Sequence, residues 1–124
     1  MVVEDFPSYR RFICSKLDRN SDLQVVCEVA DGLEAVQKAK ELMPDLILLD
    51  FGLPTLNGIE AARQILAHAP QSKIIFLSQE TSASIVQEAL RLGAVAYVFK
   101  MHAESDLLLA IDAALSGKPF VSHT

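Results

Sequence analysis

Tryptophan is absent from this chain, histidine occurs three times and cysteine twice. Cys14 and Cys27 are too far apart for a CxxC motif and have no histidine at ligand spacing, which argues against a zinc site or a dithiol redox centre. Their apolar surroundings, Phe12-Ile13-Cys14 and Val25-Val26-Cys27, predict buried free thiols. His68, His102 and His123 show no ligand spacing either and are expected in loops or at the solvent. No apolar run is long enough to span a bilayer, and the N-terminus has neither a basic leader nor a small-residue cleavage site, so a cytoplasmic protein with no membrane partner is expected. Basic residues are outnumbered, 11 against 16 acidic, for a net charge of −5. That balance speaks against a broad nucleic-acid surface, and any DNA contact calls for another domain. Internal repeats, low-complexity tracts and long linkers are also lacking.

What is present is alternation. The chain has 124 residues, of which 51% are apolar, enough for one compact domain spanning 1–124. Strand and helix signals succeed one another with short punctuation, the pattern of βαβ units feeding a parallel sheet. Strands are predicted at Val2-Val3, Leu23–Val29, Asp45–Asp50, Lys73–Ser78 and Ala94–Phe99. Helices are predicted from Pro7 to about Asn20, Leu33 to Met43, Gly58 to about Ala69, Ser82 to Leu92 and Ser105 to Ser116. The last helix is expected to bury Leu108, Ile111 and Leu115. Right-handed crossovers on both faces give a doubly wound, flavodoxin-like α/β fold, for which the strand order 2-1-3-4-5 is the common small solution. Five strands and five helices then account for the chain.

In that order the ends of the first and third strands are neighbours. Asp50 closes the apolar run Leu46-Ile47-Leu48-Leu49, Glu4-Asp5 follows the first strand, and Ser78 and Lys100 arrive at the same edge from the fourth and fifth. Three converging carboxylates repel one another unless a cation or proton intervenes. Magnesium suits an oxygen-only set made of Glu4, Asp5, Asp50 and the backbone carbonyl of Gly52. With phosphoryl oxygens held there, Asp50 can act as a carboxylate nucleophile and form an acyl phosphate. The Ser78 hydroxyl and Lys100 ammonium are the right types to bind the remaining phosphoryl oxygens. Each residue alone has an ordinary structural explanation as a loop cap, a helix-entry charge or a solvated lysine. The combination at four strand ends does not.

Glu4-Asp5, Asp50-x-x-Leu53-Pro54-x-x-x-Gly58, Ser78 after an apolar strand, and Tyr97-Val98-Phe99-Lys100 together resemble the two-component response-regulator receiver domain, the CheY-like family, over the whole chain. The resemblance implies that Asp50 accepts phosphate from a sensor histidine kinase, that Glu4 and Asp5 position magnesium, and that Ser78 and Lys100 contact the phosphoryl group. It also implies that Ser78 and Tyr97 form a switch pair: Ser78 drawn inward opens space for the Tyr97 ring. An output face on helix four, strand five and helix five follows, with homodimers through that face or through helices one and five. The protein would catalyse its own phosphorylation and dephosphorylation without being a turnover enzyme. The entry Asp5-Phe6-Pro7-Ser8-Tyr9-Arg10-Arg11 and the exit Ala114-Leu115-Ser116-Gly117-Lys118-Pro119-Phe120-Val121-Ser122 look most like the NarL/FixJ (LuxR-type) subfamily. That likeness implies transcription regulation through a C-terminal helix-turn-helix DNA-binding domain absent from this chain, which is read as a fragment.

Departures from the family pattern are specific. The first strand is short, which predicts reduced stability or a start placed too late. Glu4 replaces the commoner aspartate and reaches one methylene further. Met101 stands where proline is usual after the lysine, so no cis peptide is implied there. Gln79 is bulkier than the usual small residue, and with Gly52 and Glu80 it is placed to set water access to the acyl phosphate. The rival readings are a stand-alone, degenerate receiver serving as a docking module, an aspartyl-phosphate phosphatase and a flavodoxin-like electron carrier. Gly52 stands where the phosphatase acid/base aspartate belongs, and the acidic loop Glu4-Asp5-Phe6-Pro7-Ser8 would repel a flavin phosphate.

Overall fold

The computed structural model describes residues 1–123. In chain order it comprises β1 (Val2–Val3), α1 (Pro7–Asp18), β2 (Glu28–Val29), α2 (Gly32–Leu42), β3 (Leu46–Leu49), α3 (Gly58–His68), β4 (Lys73–Ser78), α4 (Ala83–Leu92), β5 (Ala96–Phe99), α5 (Ala103–Leu115) and β6 (Phe120–Val121). All pairings are parallel, in the order β2-β1-β3-β4-β5-β6. The doubly wound sheet is as the alternation predicts, with one strand added at the far edge.

Side chains alternate along each strand, so the sheet feeds two cores. Val3, Ile47, Leu49, Ile74, Phe76 and Tyr97 pack with Ala35 and Ala39 of α2, Ile59, Ala62 and Ile65 of α3, and Val86 and Ala89 of α4. Val2, Leu48, Ile75, Leu77 and Val98 pack with Ile13 and Leu17 of α1 and Leu107, Ala110 and Ile111 of α5. Three helices begin on side-chain caps: Asp31 accepts from the Glu34 N–H (2.8 Å), Asn57 from Glu60 (3.0 Å) and Ser82 from Ile85 (3.4 Å).

Several expectations are corrected. The second strand is restricted to Glu28–Val29, because β1 offers it a partner only at Val2 and Val3; residues 23–26 lie beyond the ladder despite their β-branched composition. A cleft of about 490 Å³, lined by Leu23, Val25 and Leu46 among others, opens where that ladder stops. It is slightly larger than the cleft described below but brings together no cluster of reactive groups. α5 starts at Ala103, so its buried stripe is Ala103, Leu107, Ala110, Ile111 and Ala114; Leu115 is 52% exposed and Leu108 only half-buried. Leu33, Leu42 and Met43 also face outward, the small Ala35 and Ala39 taking the inner face of α2. Both cysteines are free but half-buried, and burial raises the Cys14 thiol to about 11. His68 and His123 are exposed, whereas His102 is half-buried against Phe99.

The added strand pairs with β5, and Ser122 just beyond it adds a further tie. The Ser122 amide donates to the Tyr97 carbonyl (2.9 Å), its hydroxyl donates to Asp106 (2.7 Å) and that same oxygen accepts from the Phe99 amide (3.1 Å). Replacing Ser122 by alanine leaves the buried Phe99 amide without a partner and takes one from the half-buried Asp106 carboxylate. Ser122→Ala is expected to cost about 1–2 kcal/mol in chemical denaturation and to speed hydrogen exchange at Phe99. Unchanged exchange there would show that β6 is held by other contacts.

Candidate functional site

β1, β3, β4 and β5 all end at one edge, and the residues that follow them meet there. Glu4, Asp5, Asp50, Gly52, Ser78 and Lys100 line a cleft of about 460 Å³. Every site residue expected from sequence is therefore brought together except Tyr97, which lies behind the cleft wall. Carboxylate oxygens of Glu4, Asp5 and Asp50 lie within 4.8 Å of one another. Glu4 is 1% exposed and Asp50 8%, while Asp5 is the most open of the three.

Local hydrogen bonds aim this cluster. The Phe51 amide donates to Asp50 Oδ1 (2.8 Å), and the Phe6 amide donates to Glu4 Oε2 (3.1 Å). Arg10 donates to the Glu4 carbonyl (2.7 Å) and pairs with Glu28 (3.5 Å), fixing the turn from β1 into α1. Lys100 Nζ lies 2.7 Å from Glu4 Oε1 and 3.4 Å from Asp50 Oδ1. The Glu4 contact is one of charge, since that buried oxygen has no aligned hydrogen bond. The loop after β3 is pinned from α2: Gly32 donates its amide to the Pro54 carbonyl (3.1 Å), and Thr55, at φ +65°, bonds Asp31 through its hydroxyl (3.2 Å). Lys100 to His102 form a short 3₁₀ turn, and all described peptide bonds are trans, in keeping with Met101 after the lysine.

Burial pushes the Glu4 carboxyl above its ordinary range, opposed by Lys100 and the Phe6 amide and reinforced by Asp50. Burial likewise raises Asp50, opposed by Lys100 and the Phe51 amide. Burial thus makes the charged form of both carboxyls costly to the fold, and the one ammonium they share offsets part of that cost. The folded state binds protons more tightly than the unfolded chain at both positions. The stability these two groups contribute is therefore fully present below the ordinary carboxyl range and is lost as pH rises through the raised folded values. Asp50→Asn is expected to raise the neutral-pH melting temperature by about 3–6 °C and to flatten that pH dependence. A lowered melting temperature would show that Asp50 contributes net stability.

The donor set fits a small hard dication: three carboxylates, one of them with an unsatisfied buried oxygen, and the Gly52 backbone at the cleft wall. Oxygen ligands open to solvent on one side leave room for water and phosphate oxygens.

Tyr97 is fully buried, with its ring 5.8 Å from Phe76 and 5.9 Å from Phe99, and its hydroxyl donates to the Glu80 carbonyl (2.8 Å). The Glu80 amide donates to Ser78 Oγ (3.0 Å), so the segment from Ser78 to Glu80 links the cleft to Tyr97. Sequence reasoning missed Tyr9 and Arg10. Both are carried to the site by the first turn of α1.

A doubly wound parallel sheet whose carboxyl edge carries an acidic cluster and one lysine is the class of protein these features define. Residues 1–112 match the family model described as the response regulator receiver domain, and the chain belongs to that family. It is 43% identical over 109 residues to a protein-glutamate methylesterase/protein-glutamine glutaminase of Thermotoga maritima, covering 86% of this chain and 31% of that protein. It is 32% identical to the chemotaxis protein CheY of Listeria monocytogenes, covering 92% and 96% respectively. Among solved structures, a LuxR-family two-component response regulator from Aurantimonas superposes with a TM-score of 0.92 at 32% identity, over 97% of this chain and 86% of that one. The chain thus spans about a third of the Thermotoga relative and nearly all of the Listeria one. No helix among the described residues is long and apolar enough to cross a membrane.

Proposed function

We propose that Asp50 is the phosphoacceptor of a two-component signalling response regulator, taking its phosphoryl group from a phosphohistidine of a sensor histidine kinase. The observation that carries this reading is the meeting of Glu4, Asp5 and Asp50 within 4.8 Å, with the Lys100 ammonium 3.4 Å from Asp50. Glu4, Asp5, Asp50 and the Gly52 carbonyl would hold magnesium. Bound there, the ion supplies positive charge to the carboxylates and to the incoming phosphoryl oxygens.

The Asp50 carboxylate, oriented by the Phe51 amide, attacks phosphorus in line with the leaving group. The P–N bond breaks, its electron pair stays on the imidazole, and a mixed carboxylic–phosphoric anhydride remains on Asp50. Lys100 and the Ser78 O–H bind phosphoryl oxygens as charge spreads over them. In a separate second displacement, water attacks phosphorus, the P–O bond to the Asp50 carboxylate breaks, the water's proton passes to solvent, and inorganic phosphate is released. Gln79, Glu80 and Gly52 line the approach and set the rate of that hydrolysis. These are single events on the protein itself and not turnover of an external substrate.

The phosphoryl group adds nearly two charges and three acceptor oxygens. It favours conformers in which Ser78 turns toward it, and Glu80 couples that movement to the Tyr97 hydroxyl. The bias equals the difference in affinity of the phosphoryl group for the two conformers. The output face then comprises α4, β5 and α5, with β6 covering the outer edge of β5. Met101, just before α5, and Leu109 on α5 are exposed apolar residues, 71% and 55% accessible. Homodimer contacts through this face or through α1 and α5, and transcription regulation through a DNA-binding domain joined beyond β6, complete the proposal.

Addition of magnesium and beryllofluoride to labelled protein is expected to shift the amide signals of Asp50, Phe51, Ser78, Glu80 and Tyr97 together. Asp50→Asn should abolish the shifts. A wild-type spectrum unchanged by saturating additions would contradict the reading.

A further inference from the structure

The Lys100 ammonium has Glu4 and Asp50 as charged neighbours and also lies over the face of Tyr9, whose ring centroid is 4.7 Å from Nζ. The same tyrosine donates its hydroxyl to the Lys100 carbonyl at 3.4 Å, so it touches both ends of the residue. Burial, with Glu4 and Asp50 nearby, raises the Tyr9 phenol to about 12, which keeps it a protonated donor. Tyr9 is itself braced by Phe12, one helical turn on, at 5.3 Å between centroids. Resting on the function proposed above, we infer that Tyr9 is the positioning residue for Lys100 during phosphoryl transfer.

The physical need is specific. A lysine has four rotatable carbons and a compact charge, and nothing in its own stem fixes where that charge sits. Before transfer its nearest partner is Glu4; during transfer it must turn to a phosphoryl oxygen. A carboxylate partner resists that move. The face of an aromatic ring attracts the ammonium over a broad area, so the charge can pivot across it without losing the contact. The ring thereby limits the conformers that the lysine samples while leaving the one needed motion open.

The test is a double-mutant cycle on the rate of phosphoryl uptake from acetyl phosphate in magnesium, followed by intact mass. Tyr9→Leu is expected to slow uptake by about three- to thirtyfold, the range of ring–cation attractions expressed as rates. Tyr9→Phe, which keeps the ring, should stay within about twofold of wild type. In a Lys100→Ala background Tyr9→Leu should have no further effect, because its action runs through the missing ammonium. The proton signals of the Lys100 ε-methylene should carry a ring-current shift in wild type and in Tyr9→Phe that disappears in Tyr9→Leu. Normal uptake by Tyr9→Leu, or an equal loss in the Lys100→Ala background, overturns the inference alone. A wild-type protein that takes up no phosphoryl group overturns the proposed function and this inference with it. Circular dichroism and melting of each variant separate these outcomes from misfolding, and the ring-current shift decides for any variant that is folded but slow.

Discussion

Lys100→Ala is expected to slow phosphoryl uptake at Asp50 by about two to three powers of ten, the loss found when one preorganised charge donor is removed from a site of developing negative charge. The lysine is the nearest cation to both buried carboxylates, at 2.7 Å from Glu4 and 3.4 Å from Asp50. Without it, burial and mutual repulsion drive Glu4 and Asp50 further above the ordinary carboxyl range. The variant should therefore take up phosphate best at higher pH than wild type, where Asp50 regains its charge. Magnesium should stabilise the variant more than wild type, since it replaces the missing countercharge. Measuring uptake against pH for both proteins checks this. A variant whose rate falls without any displacement of the profile would show that Lys100 binds the phosphoryl group but does not tune Asp50.

The second large effect is expected at a residue with no side chain. Gly58 begins α3 directly beneath the end of β3; a Cβ there would lie 2.7 Å from the Phe51 Cα and run into the Asp50 carbonyl. Its own amide donates to the Phe51 carbonyl at 2.7 Å. Neither obstacle is a flexible side-chain tip, so relief requires the backbone that carries Asp50 and Phe51 to move. Gly58→Ala is expected to cost about 2–4 kcal/mol of stability, although alanine is the better helix former by about 1 kcal/mol. Because the displaced segment carries the amide that orients Asp50, uptake should fall as well. A denaturation midpoint equal to wild type would show that the loop yields without strain.

Gly58 also illustrates how much of this protein is legible in its sequence. The spacing from Asp50 through Leu53-Pro54 to Gly58 carried the resemblance, and the structure shows a steric reason for the glycine. Strand ends were readable where an apolar run stops at a polar residue, as at Ser78, which closes β4 where the residues predict it. The order 2-1-3-4-5 was readable as well, but how far each strand pairs was not. The stretch from Leu23 to Val26 has strand composition but no neighbour to bond, and Phe120–Val121 looks like an exit loop but finds the free edge of β5. Strand formation depends on the partner's length and position, which composition does not carry. α5 shows the other limit: its inner face is built largely on alanines, while Leu109 and Leu115 stay exposed. Apolar size alone placed Ile111 correctly but not Leu115.

At the site, residue types and strand ends were enough to assemble Glu4, Asp5, Asp50, Gly52, Ser78 and Lys100. Tyr9 escaped because aromatic residues at helical spacing are ordinarily core, and its ring is indeed packed on Phe12. Only the distance to Lys100 sets it apart. The burial of Tyr97 inside the aromatic group with Phe76 and Phe99 was likewise a matter of packing, not of pattern.

The most direct test of the central claim is the intact mass of the folded protein after incubation with acetyl phosphate and magnesium, beside a magnesium-free sample and Asp50→Asn. A single phosphoryl adduct that requires both the metal and Asp50 is the predicted result. An adduct that persists in Asp50→Asn, or none on folded wild-type protein, would contradict the assignment of Asp50 as phosphoacceptor.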